Sequence, residues 1–217
     1  MFASPTAVGD KIVDMGFNVV SMSNNHVLDQ GEEGLISSLD YWDTKGIVHY
    51  GAYRSQEDAD TIKTMEVNGI KFAFLGYMEH TNGNYLSGDG AQVIYLEDED
   101  KIKAQIEEAD KMADVVVVSC HYGTEIQNEL NEQQTEITPK LVEWGADLII
   151  GTQAHTISTC GYLDKPEGGQ AFVYYGLGNF ISTMYDTKSL VGLIGKLNVV
   201  KDLSLIHISE PTRHLRI

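Results

Sequence analysis

The chain has 217 residues, 42% of them hydrophobic, with 21 glycines and a formal net charge of -17; this suits one loop-rich α/β domain with a sizeable core and excludes a disordered chain. So acidic a surface repels phosphate backbones, so no nucleic-acid partner is expected, while a cation site stays open. Cys120 and Cys160 are the two cysteines, too few for a disulfide framework or a Cys-x-x-Cys metal motif and read as buried thiols, and no apolar run reaches the roughly 18 residues that span a bilayer, so the piece is expected to be soluble.

The chain opens almost directly on a helix, residues 6–15, which Gly16 ends as a C-cap residue. Residues 17–22 read as a short buried strand. Leu35, Ile36, Leu39 and Trp42 recur at helical spacing over residues 32–45, and Gly46 closes that helix. Asn24, Asn25, His26 and Asp29 therefore sit on the connecting loop, where open α/β sheets bind ligands. An amide, an imidazole and a carboxylate this close together supply a metal ligand, a proton donor and an orienting partner. The same residues also read as a turn, with His26 capping the next helix.

Residues 47–50 form a second strand, and a polar stretch follows at 54–60. Two β segments, 61–67 and 70–77, are joined at Asn68-Gly69, a hairpin signal. Residues 79–90 make a long irregular loop able to reach over a site. An acidic amphipathic helix over 97–112 carries Ile102, Ile106, Ala109 and Met112 on one face. Val115-Val116-Val117-Val118 is the run expected of a central parallel strand covered on both faces. It delivers His121 and Glu125 to its C-terminal end. A helix over 135–144 and a strand over 147–150 follow, delivering Gln153, Ala154 and His155 to the same edge.

Three strands thus each place a histidine, His26, His121 or His155, at one sheet edge, and the remaining histidines lack that placement. Imidazoles converging from separate loops on a rigid sheet make a divalent-metal site, to which Asn25 can add a carbonyl oxygen. Residues 156–163 and 171–175 form a hairpin around Pro166-Glu167-Gly168-Gly169. The glycines of Gly176-Leu177-Gly178-Asn179-Phe180 allow close backbone approach to a ligand or a neighbouring loop. The rest of a dinucleotide fingerprint is lacking. Residues 190–200 read as the last strand.

Four pieces, in this order, resemble the bacterial capsule-synthesis family of the CapA type, associated with poly-γ-glutamate and with the calcineurin-like metallophosphoesterase fold. They are Ser23-Asn24-Asn25-His26-x-x-Asp29-x-Gly31-x-x-Gly34, His121-Tyr122-Gly123-x-Glu125, Ile150-Gly151-Thr152 with His155, and Tyr175-Gly176-Leu177-Gly178-Asn179-Phe180. The resemblance runs from Pro5 to about Val200 and implies an α/β/β/α sandwich with a metal-centred cleft at its strand ends. It implies divalent metal ions, manganese, iron or zinc, held by Asn25, His121, His155 and Gln153. His26 would face the substrate as the catalytic residue and Asp29 would orient it, with Asn24, Glu125 and Asn179 lining the cleft.

Two functions follow from the resemblance and both stay open. One is a metal-dependent hydrolase or transferase acting on an anionic polymer or envelope intermediate; the other is a non-catalytic assembly component that binds such a polymer or other capsule-synthesis proteins. Either implies a cell-surface or extracytoplasmic setting for the full-length protein, with no membrane segment in this piece.

The chain departs from the family pattern in two places. Gln153-Ala154-His155 stands where the family usually has His-Pro-His, and glutamine is a poorer ligand for zinc-like metals. The family's leading strand, with its Gly-Asp motif and a later acidic motif, has no counterpart. Residues 1–202 are therefore expected to be a partial domain without its first strand or strands, binding metal weakly and showing little hydrolysis. Residues 203–217, which hold two of the chain's three arginines, read as translated sequencing-library adaptor and are expected to pack poorly.

Overall fold

A computed structural model describes residues 2–201 and the backbone of 215–216. In chain order the elements are α1 (Thr6–Asp14), β1 (Val19–Ser21), α2 (Gly31–Lys45), β2 (Val48–Tyr50), α3 (Gln56–Asp60), β3 (Lys63–Val67), β4 (Ile70–Met78) and α4 (Glu99–Met112). They continue with β5 (Val115–Tyr122), α5 (Glu132–Glu143), β6 (Leu148–Gln153), β7 (Cys160–Asp164), β8 (Gln170–Tyr174), a 3-10 turn at Thr187–Leu190, β9 (Val200–Lys201) and β10 (Leu215–Arg216). Six strands make one sheet in the order β3-β4-β5-β6-β8-β7. Its inner pairs are parallel and its edge strands β3 and β7 antiparallel. Strands β1 and β2 form a separate parallel pair, and β9 and β10 an antiparallel one.

The layering follows from alternation along the central strands, whose successive side chains point to opposite faces. Phe72, Phe74, Val115 and Val117 join Val19, Val48 and Tyr50 in the apolar layer between the two sheets. Ala73, Leu75, Val116 and Val118 turn the other way, onto Ile102 and Ile106 of α4 and Ile137 and Leu141 of α5. On the far side of the small sheet, Ile12 and Val13 of α1 and Leu35, Leu39 and Trp42 of α2 pack on Val20, Met22 and Ile47. The result is the α/β/β/α sandwich that the sequence leads one to expect.

Local signals set the helix ends. Gly46 takes the left-handed conformation after α2. Asp98 accepts from the Lys101 N–H to cap α4, and Asn131 with Gln134 forms a reciprocal capping box at α5. The two sheets touch most closely where side chains are absent. A Cβ on Gly76 would lie 2.8 Å from the Gly51 Cα, and one on Gly51 2.8 Å from Ser23. That approach, together with the 2.7 Å hydrogen bond between the Tyr50 hydroxyl and Ser119 Oγ, lays the loop after β1 across the ends of β4 and β5.

Several elements differ from the sequence reading. Strand β1 covers three residues and is only partly buried, because two strands cover one flank of a much wider sheet. The polar stretch at 54–60 contains the helix α3, capped by Ser55 accepting from the Asp58 N–H. Residues 190–200 are not a strand: only Val200–Lys201 is extended and paired. The cause lies in Gly192, where any Cβ would sit 2.2 Å from the Asn179 carbonyl, so this segment packs its backbone onto 177–179 through a single bridge. Those glycines thus serve approach by a neighbouring loop. Cys160 is exposed and Cys120 buried; Cys160 lies on the edge strand β7, where alternate residues face solvent. The expectation for residues 203–217 falls outside the described residues, apart from the paired backbone of 215–216.

Candidate functional site

The loop after β1 is built on Asn24. Its Oδ1 accepts the His26 N–H at 2.9 Å and its Nδ2 donates to the Met22 carbonyl at 3.1 Å, so Asn24 shapes the turn, as the turn reading had it. This turn sends Asn25 inward, where it is 4% exposed. Asn25 Oδ1 lies 3.1 Å from His121 Nε2, and its Nδ2 donates to Asn82 Oδ1 at 3.2 Å. His26 stays partly exposed, with Nδ1 3.0 Å from Asp29 Oδ2 and Phe2 edge-on to its ring. The Phe2 N–H donates to the same carboxyl oxygen at 2.7 Å. That backbone hydrogen bond, with the His26 contact in support, holds the Asp29 carboxyl below the usual range. Asp29 therefore assigns the Nδ1–H tautomer to His26 and leaves Nε2 as the working nitrogen.

His121 and Gln153 are strand residues, because β5 and β6 run further than their apolar stretches: His121 pairs with Met78 on one side and Thr152 on the other, and Tyr122 with Gln153. His121 is 8% exposed and both ring nitrogens are engaged, Nε2–H with Asn25 Oδ1 and Nδ1 with Thr152 Oγ1 at 2.8 Å. Burial lowers its pKa to about 3, against a supporting contact from Gln153, and repulsion from His80, His155 and His26 lowers it further. The ring is thus a neutral donor at physiological pH, and four imidazoles share one cleft.

The end of β6 is less settled. Gln153 is 7% exposed with φ of 96°, and its Oε1 is buried without a hydrogen-bond partner. His155 has φ of 58° and gives its Nδ1–H to Asn179 Oδ1 at 2.8 Å, which leaves Nε2 bare. Asn179 is fixed in turn by donating to the Ser189 carbonyl at 3.1 Å; it orients His155 instead of simply lining the cleft. Glu125 Oε1 stands 4.0 Å from His155 Nε2 on a half-exposed side chain. Among the described residues five non-glycine residues have positive φ, and four of them, Asn82, Ile126, Gln153 and His155, belong to these loops. Such strain persists where surrounding structure over-determines it, and it clusters at ligand sites.

Three participants escape the sequence reading. His80 follows β4, whose register beside β5 brings the Glu79 N–H to the His121 carbonyl at 2.9 Å; the expectation that the remaining histidines lack placement is corrected for this one. No local sequence signal marks it, because its place depends on β4 running parallel to β5 and ending at the same edge. Asn82, from the long loop after β4, donates its backbone N–H to His80 Nδ1 at 3.3 Å and accepts from Asn25 Nδ2. Thr152 orients His121. Among the described residues no three His, Cys, Asp or Glu side chains are grouped to hold a metal ion, so any cation here must also draw on amide oxygens. The orphaned Gln153 Oε1 beside His121 and the Asn25 Oδ1 are such donors. This set fits one cation through neutral ligands and does not fit a two-cation centre, which needs carboxylates to offset the charge.

Comparison with known proteins follows the same lines. The family model described as bacterial capsule synthesis protein PGA_cap matches residues 1–184. The PGA biosynthesis protein CapA of Bacillus subtilis (strain 168) is 30% identical over 169 residues, which cover 77% of this chain and 43% of that protein. The capsule biosynthesis protein CapA of Bacillus anthracis is 26% identical over 174 residues, 78% of this chain and 41% of that one. The chain therefore spans about two fifths of the length of these curated relatives. Among solved structures, a putative 5'-nucleotidase from Staphylococcus aureus aligns with a TM-score of 0.55 at 14% identity, over 81% of this chain and 35% of that one. A 5'-nucleotidase precursor from Thermus thermophilus aligns with a TM-score of 0.52 at 16% identity, over 77% and 35%. These likenesses show the fold, that of calcineurin-like phosphoesterases.

Proposed function

The chain belongs to the bacterial capsule synthesis protein PGA_cap family, and on that premise we propose that its cleft binds a divalent cation through Gln153, His155, Asn25 and His121, the last two exchanging their mutual hydrogen bond for the ion, and acts on an anionic polymer or envelope intermediate outside the cytoplasm. The observation that carries this reading is the meeting of a buried, neutral imidazole, His121, with the buried amide of Gln153, whose Oε1 lies beside that ring without a hydrogen bond of full geometry. A cation bound there supplies Lewis-acid polarisation of an ester, amide or phosphoryl oxygen.

The chain's own residues would do the rest. His26, held by Asp29 through Nδ1, presents Nε2 to the cleft as a proton acceptor or, once protonated, a donor. Asn82 and Asn25 hold the loop ends together. Asn179, tied to the Ser189 carbonyl of the 187–190 turn, fixes the His155 ring so that its Nε2 stays bare. The net charge of -17 raises the local cation concentration around the cleft.

The second reading, a non-catalytic component that binds polymer or other capsule-synthesis proteins, draws support from the neutral donor set. A site without carboxylates holds its ion loosely and polarises weakly. Thermal denaturation with and without excess manganese, iron or zinc tests the metal reading. At a hundredfold excess over Kd, stabilisation of about 2.7 kcal/mol is expected, and His155→Ala should remove most of it. Equal midpoints with and without every metal would leave the binding component as the function.

A further inference from the structure

We infer that His80 and Asn82 form a lip of this cleft that binds an oxyanion, the carboxylate or phosphoryl group of a substrate, by hydrogen bonds of the chain's own and without a metal ion. The inference rests on the anionic-substrate part of the reading above and is independent of its cation. Both residues stand on the turn after β4, which the fold fixes in advance. Thr81 is 1% exposed; its Oγ1 donates to the Asn84 carbonyl at 2.5 Å and meets the Tyr95 hydroxyl at 2.8 Å. The Asn84 N–H returns to the Thr81 carbonyl at 2.9 Å. Asn82 takes a φ of 54°, a conformation that asparagine tolerates better than most side chains. Asn82 is exposed and His80 half-buried, so a ligand can reach both.

The ligand's class follows from which atoms are already in use. His80 Nδ1 accepts the Asn82 N–H at 3.3 Å, so the proton of the neutral ring sits on Nε2. That N–H has no hydrogen-bond partner among the described residues. Asn82 Oδ1 accepts from Asn25 Nδ2 at 3.2 Å, which orients the amide and brings its Nδ2 to 3.3 Å from His26 Nδ1. The His26 nitrogen already carries the proton it gives to Asp29, so it cannot accept, and the Asn82 hydrogens stay unspent. The lip therefore presents donors, two residues apart on one turn, where His26 and His155 present bare Nε2 acceptors. Donors whose own acceptor atoms are spent inside the protein call for an acceptor-only ligand, and a charged oxygen makes such hydrogen bonds roughly twice as strong as a neutral one does. The net charge of -17 repels anions at long range, so donors fixed at short range decide where an anion can be held.

The experiment titrates the 217-residue chain, freed of metal on chelating resin, with inorganic phosphate in one arm and a γ-linked glutamate dipeptide in the other. Proton–nitrogen spectra follow the His80 ring and the Asn82 side-chain amide, and affinities are compared among wild type, Asn82→Asp, His80→Phe and His80→Gln. Asn82→Asp keeps an oxygen for Asn25 to donate to and puts a carboxylate oxygen where the donor stood, so binding should weaken about tenfold or more. His80→Phe keeps a ring without a donor and should cost about tenfold, while His80→Gln, which restores an N–H, should recover part of that loss. The arm with the tighter binding names the group as phosphoryl or carboxylate. Unchanged affinity in either Asn82→Asp or His80→Phe, at an unchanged thermal midpoint, overturns the inference and leaves the reading above standing. Should a variant lower the midpoint, the wild-type spectra decide: His80 and Asn82 signals that move as the anion saturates support the inference, and signals that stay still overturn it. If neither anion binds the wild type, the anionic-substrate reading fails and the inference with it.

Discussion

Strands β5 and β6 lie side by side and end level with each other, Tyr122 opposite Gln153, yet their ends are finished in opposite ways. At the end of β5, His121 is buried with both nitrogens bonded, to Asn25 and Thr152. At the end of β6, Gln153 keeps a buried oxygen with no partner and both Gln153 and His155 sit at positive φ. The first end has each ring nitrogen of His121 paired; the second is strained and less fully paired. The contrast teaches that one cleft can hold donors in two states, with one strand end already paired within the fold and its neighbour strained and less fully paired.

Removing His121 should break the comparison hardest. His121→Ala opens a cavity between the strand ends and strands Asn25 Oδ1 and the Thr152 hydroxyl, so a loss of about 3 kcal/mol or more is expected in denaturant unfolding. A loss below about 1 kcal/mol would mean that the β5 end is no more structural than the β6 end.

The pH dependence of stability comes next. Burial, then repulsion from His80, His155 and His26, sets the folded pKa of His121 near 3, below the 6.5 of the free side chain. The unfolded chain therefore takes up a proton as pH falls below 6.5 while the folded chain refuses it until about 3. Stability from this residue is full above pH 6.5 and drains away down to pH 3, by on the order of 5 kcal/mol in all. Carboxylates add their own acid limb, so the measurement is the difference between wild type and His121→Gln across that window. That difference should rise with pH; a flat one would remove the claim that His121 is buried neutral.

Asn179→Ala probes the other strand end with a smaller effect. It frees the His155 ring and the Ser189 carbonyl, costing about 1 kcal/mol, and the ring nitrogens of His155 should lose their tautomer preference in long-range 1H–15N spectra. A ring that keeps its tautomer would show that Asn179 does not hold it.

Much of the fold is legible in the sequence. Val115 to Val118 announce a strand buried on both faces, Asn68-Gly69 a hairpin and Gly46 a helix stop, because each depends on local chemistry that a short window contains. Asn25, His26 and Asp29 are legible for the same reason: a turn bearing three ligand-type groups follows an apolar strand. The rest depends on register. That His121 lies within β5 follows from its pairing with Met78 and Thr152, which no window around residue 121 can show. The segment at 190–200 has the apolar content of a strand, but Gly192 and the Asn179 carbonyl compete for the same space.

His80 is the clearest case of what register hides, and it sharpens the comparison by the smallest margin. In the sequence His80 falls in the long irregular loop read over residues 79–90. Only the parallel alignment of β4 with β5, Met78 opposite His121, brings this imidazole to the cleft, where, after burial, it heads the charges that oppose protonation of His121. Replacing it by glutamine keeps the polarity and removes the charge. In His80→Gln the His121 ring signals should therefore begin to move at a slightly higher pH than in the wild type, with burial still holding the pKa well below 6.5. If the ring instead titrated near the free value, repulsion between imidazoles and not burial would keep His121 neutral, and the β5 end would owe its settled state to the same crowded cleft as its neighbour.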